Sequence, residues 1–274
     1  MDDDRHSPTL TSGSNPRIRA AAALRDRRER EATGLTIVDG ARELRRAMAA
    51  GVEIAEAFVC EPMLAGEDAR AALDGLEALA AAGTPVHRAT EAAFAKLAFG
   101  ARAEGLVAVI RWPSPALADL ALPDDALVVV LEGVEKPGNV GAVLRSADGA
   151  GADAVIAASP RTDLANPNVI RASAGTLFSM PVAAAPSEAV LAWLRDRRIR
   201  IVTARVDAAL DYTRADLRGP VALVLGAEDR GLTAVWQGVD IEAVHLPMRG
   251  VADSLNVSVT AAILLYEARR QREA

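Results

Sequence analysis

HLPMRGVADSLNVS, residues 245–258, sets how the C-terminal half of this chain is read. An apolar strand over 241–246 runs into Pro247 and Gly250. The trio Ser254, Leu255 and Asn256 then opens a largely apolar run over 257–266. A plain C-terminal helix needs one N-cap. It has no use for a Pro-Met-Arg-Gly turn followed by Asp-Ser-Leu-Asn. Loops carried by rigid elements are where binding and catalytic side chains usually sit.

Two further strand ends upstream have the same character. In LEGVEKPGNVGAVLRSADGAGADAVI, residues 131–156, a strand over 126–131 ends in a turn with Pro137 and Gly138, and Asn139 stands where a helix N-cap belongs. Val140, Val143, Leu144 and Ala147 recur at helical spacing and face the sheet, while Arg145 lies off that stripe, near the strand's carboxyl end. Ligands of open α/β sheets bind at that edge. Gly138-x-x-Gly141 lacks the G-x-G that opens a dinucleotide fingerprint. In VALVLGAEDRGL, residues 221–232, a buried strand breaks at Gly226, where a missing side chain lets backbone approach a ligand, and Glu228 follows in a turn closed by Gly231. Singly, these residues read as a plain cap, a surface arginine and a solvated acid. Together, three strand ends can bring Asn139, Arg145, Glu228, Ser254 and Asn256 to one pocket.

Strands over 126–131, 154–157, 199–204, 221–225 and 241–246, with helices over 140–150, 187–197 and 257–271, predict a parallel α/β domain. The N-terminal half predicts a smaller α/β domain. It opens with one charged helix over 17–31. Strands over 36–38, 54–59, 86–87 and 106–110 follow, with helices over 40–50, 67–82 and 91–97. Three prolines between 111 and 125 mark a linker. The expected division is a disordered tail over 1–16, a first domain over 17–111, a linker over 112–124 and a second domain over 125–274.

The net charge of −6 argues against a general polyanion binder, but six arginines over 17–30 face only Asp26 and Glu29. Arg17, Arg19, Arg25 and Arg28 are candidates for phosphate contact, the plain alternative being a solvated helix face. Aromatic residues make up 3%, which excludes extensive base-stacking platforms. A single cysteine, Cys60, excludes an internal disulfide and reads as a core residue; with three scattered histidines no metal centre is expected. No apolar run reaches the ~18 residues of a membrane span. The opening MDDDRHSPTL lacks a signal-peptide core, so a cytoplasmic setting is expected.

The three motifs, in order over roughly 126–271, resemble those of the SpoU or TrmH branch of the SPOUT RNA methyltransferases. NPNVIRASAGTLFSMP, residues 166–181, resembles the family's stretch between its first and second motifs, with Arg171, Ser173 and Gly175. The N-terminal half resembles, more loosely, a ribosomal-protein-like substrate-binding domain. The resemblance implies a trefoil-knotted α/β catalytic domain, S-adenosylmethionine as cofactor, an RNA partner and a homodimer. It places Leu225, Gly226, Leu246, Pro247, Leu255 and Asn256 at the cofactor, and Asn139, Arg145, Glu228, Ser254 and Asn256 at the chemistry. Arg171 joins the four N-terminal arginines as an RNA contact. The implied reaction is 2′-O-methylation of structured RNA, foremost 23S ribosomal RNA; transfer RNA, or RNA binding without turnover, are the alternatives. Arg145 is either a base or a clamp, and a guanidinium that stays protonated favours the clamp. Departures from the family pattern at Glu132, Lys136 and Ala227 are expected to leave the catalytic positions untouched.

Overall fold

Aliphatic and β-branched runs build two sheets in the computed structural model, which describes residues 8–98 and 104–274. The chain divides into two compact units, one of Met1–Pro113 with Ala165–Ser179, the other of Ser114–Leu164 with Met180–Ala274.

The first unit runs α1 (Pro16–Ala23), α2 (Arg27–Thr33), β1 (Leu35–Asp39), α3 (Ala41–Ala49), β2 (Ile54–Val59), α4 (Gly66–Ala81), β3 (Val86–Arg88), α5 (Glu91–Phe94) and β4 (Leu106–Arg111). Its sheet has the order β1-β4-β2-β3. Ile18, Ile37, Phe58, Phe94 and Val107 form a core under α1. The single helix expected over 17–31 is two helices. Asp26 caps α2 by accepting from the Arg28 N–H, and Arg30 bonds the Leu24 and Arg25 carbonyls left open at the break. The expected tail is corrected as well: Leu10 donates to the Arg88 carbonyl at 2.8 Å and accepts from Thr90 at 3.0 Å. The remainder of that expected tail, residues 1–7, lies outside the described residues.

The second unit continues with β5 (Leu127–Glu132), α6 (Pro137–Ala150) and β6 (Ala154–Ala158). After α7 (Pro167–Ala172) come β7 (Val182–Ala185), α8 (Ser187–Asp196), β8 (Arg200–Ala204), β9 (Leu210–Asp211), β10 (Val221–Leu225), β11 (Ile241–His245) and α9 (Val257–Glu273). The sheet order is β7-β6-β5-β10-β8-β11-β9, with every pairing parallel. The proline-rich stretch expected as a linker packs on this unit from Ser114, with Leu120 buried in its core. By its contacts, part of the expected second domain over 125–274 groups with the first unit. The α7 segment belongs to the first unit, where Arg171 pairs with Asp39 at 3.0 Å, Thr36 Oγ1 donates to the Ala165 carbonyl and Arg46 to that of Ala174.

Val128, Val130, Ala222 and Val224 pack with Val190, Leu191 and Leu194 of α8. Side chains alternate along a strand, so Val129 and Leu223 turn to the opposite face. There α9 packs on β10 and α6 packs on α9. The buried stripes are Val140, Val143, Leu144 and Ala147 of α6 with Ala261, Leu264, Leu265 and Ala268 of α9. Helices on both faces leave the carboxyl edge of the parallel strands as the open rim. Among the described residues no helix is long and apolar enough to cross a membrane.

Candidate active site

Three loops leave that rim, after β5, β10 and β11, and a carboxylate joins them. Glu228 Oε1 accepts from Asn139 Nδ2 at 2.7 Å and from Asn256 Nδ2 at 2.6 Å, while Oε2 accepts from Lys136 Nζ at 2.5 Å. Asn256 Nδ2 also lies 3.3 Å from Asn139 Oδ1.

Each member is held from its own element. Lys136, not Asn139, occupies the N-cap position of α6, with Pro137 next. Pro137 has no N–H to leave unsatisfied at this first position. Asn139 lies in the first turn, and its amide reaches the carboxylate rather than capping. Asn256 caps α9: its Oδ1 accepts from the Ser258 N–H at 2.9 Å and the Ser258 hydroxyl at 2.6 Å, which turns its Nδ2 toward Glu228. Glu228 sits in a tight loop closed by a bond from the Gly231 N–H to the Ala227 carbonyl at 2.8 Å. Gly226 is required by that closure. A Cβ there would meet the Gly231 carbonyl carbon at 2.3 Å, so the backbone approaching Gly226 is the loop's own. Behind the loop, buried Glu132 accepts from the Ser187 hydroxyl and from the N–H and hydroxyl of Thr233.

The Lys136 hydrogen bond and charge, with smaller help from the two amides, hold the Glu228 carboxyl below its ordinary range against the opposing effect of burial. The same contact raises Lys136. Glu228 is therefore a held anion and a weak base.

Beside the cluster lies a cavity of about 640 Å³, lined by Leu225, Gly226, Leu246, Ser254 and Leu255 among others. Pro247 is not among the lining residues, whereas Met248 is. Arg205, Asp207 and His245 add polar groups that sequence reading missed. Ser254 lines the wall and makes no hydrogen bond to the cluster. Arg145 is exposed on α6 with no hydrogen bond or ion pair among the described residues. Lys136 was read as a departure without consequence; it is a direct partner of Glu228. Its one available signal was rarity, since Lys136 and Lys96 are the chain's two lysines.

In the first unit the candidate arginines differ. Arg17 pairs with Glu56 at 3.4 Å, and Arg25 donates to the carbonyls of Lys96 and Ala98. Arg171 is turned to Asp39. Arg19 and Arg28 are exposed with side chains unpartnered among the described residues.

Fold and site define a parallel α/β protein with a small-molecule cavity and a polar cluster on one rim. The chain belongs to the SpoU rRNA Methylase family, which its residues 126–266 match, and residues 15–108 match the MRM3-like substrate binding domain. It is 36% identical over 234 residues to the 23S rRNA (guanosine-2′-O-)-methyltransferase RlmB of Xylella fastidiosa, covering 82% of this chain and 94% of that protein. Two other relatives, 36% and 40% identical, are spanned over only 60% and 59% of their own lengths. The crystal structure of an RNA 2′-O ribose methyltransferase superposes with a TM-score of 0.85 at 42% identity, covering 97% of this chain and all of that one. The SpoU methyltransferase AviRb from Streptomyces viridochromogenes, in complex with AdoMet, superposes with a TM-score of 0.81 at 30% identity, covering 94% and 98%.

Proposed function

We propose that this protein transfers a methyl group from S-adenosylmethionine to a ribose 2′-oxygen of structured RNA, with 23S ribosomal RNA as substrate. The observation that carries the reading is the Glu228 cluster, which ties Asn139 and Asn256 to the mouth of the apolar cavity. Family membership and the RNA methyltransferases among its relatives support it.

The cavity suits the cofactor. Its volume lies within the ~300–1,000 Å³ of small-molecule sites. Leu225, Leu246 and Leu255 offer apolar walls to an adenine, and the loop backbones offer main-chain groups. Bound there, S-adenosylmethionine supplies a methyl group on a positively charged sulfur. The protein's part is placement. Asn139 Oδ1 accepts one Asn256 hydrogen at 3.3 Å, and its second lone pair is the acceptor offered to a ribose hydroxyl. Glu228, with three donors on it, is too weak a base to take the hydroxyl proton. Arg145 holds an adjacent phosphate and stabilises the forming alkoxide. The hydroxyl proton leaves to water, and the methyl–sulfur bond breaks as the methyl–oxygen bond forms, leaving S-adenosylhomocysteine. Ser254 borders the cofactor.

The first unit supplies RNA contacts through Arg19 and Arg28. The active protein is a cytoplasmic homodimer whose C-terminal region is knotted. In support of a partner surface, Val259 and Tyr266, seven residues apart on α9, are 46% and 55% exposed. Mapping 2′-O-methyl groups on ribosomal RNA from cells with and without this gene tests the function. Identical maps, with no methyl transfer by purified protein to that RNA, would remove it. Light scattering tests the dimer; a fully active monomer at micromolar concentration would refute it.

A further inference from the structure

Lys136 spends its charge on a residue of the site itself. Its Nζ lies 2.5 Å from Glu228 Oε2, yet its side chain is 71% exposed. An exposed lysine would gain little stability from such a pair. The consequence is instead local, in how the two amides are oriented. A carboxylate is acceptor-only, and it becomes a donor on one oxygen when protonated. While Glu228 is ionised, Asn139 and Asn256 both present NH₂ groups to Oε1, Asn139 Oδ1 accepts from Asn256 Nδ2 at 3.3 Å, and Asn256 Oδ1 caps α9. A protonated Glu228 is a weaker acceptor for both amides, so Asn139 loses the charge-assisted bond that holds its side chain at the loop. Asn256 keeps its own orientation, because its Oδ1 is held by the Ser258 N–H.

We propose that Lys136 is a positioning residue: by pairing with Glu228 it keeps that carboxylate ionised, and so keeps Asn139 and Asn256 tied across the site down to acidic pH. This deepens the methyl-transfer reading and rests on it. The charges around Glu228 leave the role to Lys136. From the same turn Glu135 is paired with Arg161, and in the loop itself Asp229 is paired with Arg230. Across the cavity Arg205 is paired with Asp207, Asp253 adds a like charge, and His245 lines the wall. Lys136 is the cation bonded to the carboxylate. The depressed carboxyl and the raised ammonium agree with the geometry.

The experiment compares wild type, Lys136→Met and Lys136→Arg in single-turnover methyl transfer across pH 3.5 to 9, at saturating S-adenosylmethionine. Lys136→Met should keep wild-type cofactor affinity and thermal midpoint. Its acid limb should move to higher pH, with transfer roughly tenfold lower than wild type on the acid side, the order expected for a carboxylate losing an adjacent cation. Lys136→Arg should restore the limb. In a Glu228→Gln background, Lys136→Met should shift nothing further. An unshifted acid limb in Lys136→Met, or an equal shift in the Glu228→Gln background, would overturn the proposal. The Glu228 carboxyl titration, followed by carbon NMR with and without Lys136→Met, needs no RNA. It therefore decides whether Lys136 governs Glu228 even if wild type transfers no methyl group. An unchanged titration sinks this inference alone, and an inactive wild type sinks the functional reading alone.

Discussion

Asn256 donates to Glu228 Oε1 at 2.6 Å while its own Oδ1 caps α9. One amide thus fixes the start of the last helix and one wall of the site. The two duties can be separated by substitution. Asn256→Asp keeps a good cap and adds a negative charge where the helix dipole favours one. It also places a second carboxylate against Glu228. Thermal stability near pH 7 should stay close to wild type, while methyl transfer falls by about tenfold or more and recovers partly as pH drops and one carboxyl protonates. Asn256→Ala should lose about 1 kcal/mol of stability as well as activity. Melting curves and single-turnover rates on the same preparations check both. Full activity in Asn256→Asp would show that the amide contact is idle.

Wild type should have the opposite slope. Glu228 is held below its ordinary value, so the ionised cluster is complete at neutral pH and is lost only as pH falls through that lowered value. The rate should decline on the acid side, below the ordinary carboxylate range. Protonation of a Glu near its usual pKa, seen as an acid limb at ~4.3 in wild type, would contradict this.

Asp39 and Arg171 make a different kind of pair. Asp39 is 2% exposed at its side chain, and Arg171 reaches it from a segment 132 residues further along the chain. Removing Arg171 takes a cation from a buried carboxylate, so Arg171→Ala should lower stability in denaturant unfolding. Arg171→Ala combined with Asp39→Ala should cost less than Arg171→Ala alone. If Arg171 instead serves mainly to touch RNA, the single variant would unfold normally and bind RNA weakly.

The sequence showed the parallel sheet because its strands are buried on both faces and read as unbroken aliphatic runs, as in 127–131 and 221–225. The three loops were legible because glycine and proline interrupt those runs abruptly. The fate of 165–179 was hidden. Its helix is six residues long, too short for periodicity, and its partners Thr36, Asp39 and Arg46 are remote in sequence. Asn139 was misplaced by three positions for a local reason: Asn is a favoured cap, and nothing in its neighbours reports a carboxylate waiting 89 residues away. Lys136 was passed over because an exposed lysine beside a proline carries no pattern of its own.

The arginines of the first unit give a test that leaves the fold intact. Deleting this unit would strip the Ala165–Ser179 segment of its packing, so a truncated chain would confuse stability with RNA binding. Arg19→Glu with Arg28→Glu, both exposed, should weaken RNA binding and flatten its salt dependence, by ~0.7–0.9 in log–log slope for each phosphate that is no longer neutralised. Cofactor affinity should not change. Filter binding at several salt concentrations with calorimetry in parallel reads both quantities, and an unchanged salt slope would place the RNA elsewhere.

Arg145 offers the sharpest test of the mechanism. It is exposed, unpartnered among the described residues and carried on a helix whose opposite stripe is buried, so changing it disturbs no packing. Arg145→Ala should leave cofactor affinity and melting unchanged while lowering methyl transfer by roughly 10²–10⁴, the range for losing a positioned charge or proton-transfer group. Lysine at this position separates the two roles. It keeps the charge and loses the planar fork, so a clamp should retain partial activity with an ordinary pH profile. A base would behave differently: lysine deprotonates more readily than arginine, and the rate of Arg145→Lys would climb with pH toward ~10. Single-turnover profiles of wild type, Arg145→Lys and Arg145→Ala on one RNA distinguish these outcomes, and wild-type rates in Arg145→Ala would remove Arg145 from the chemistry.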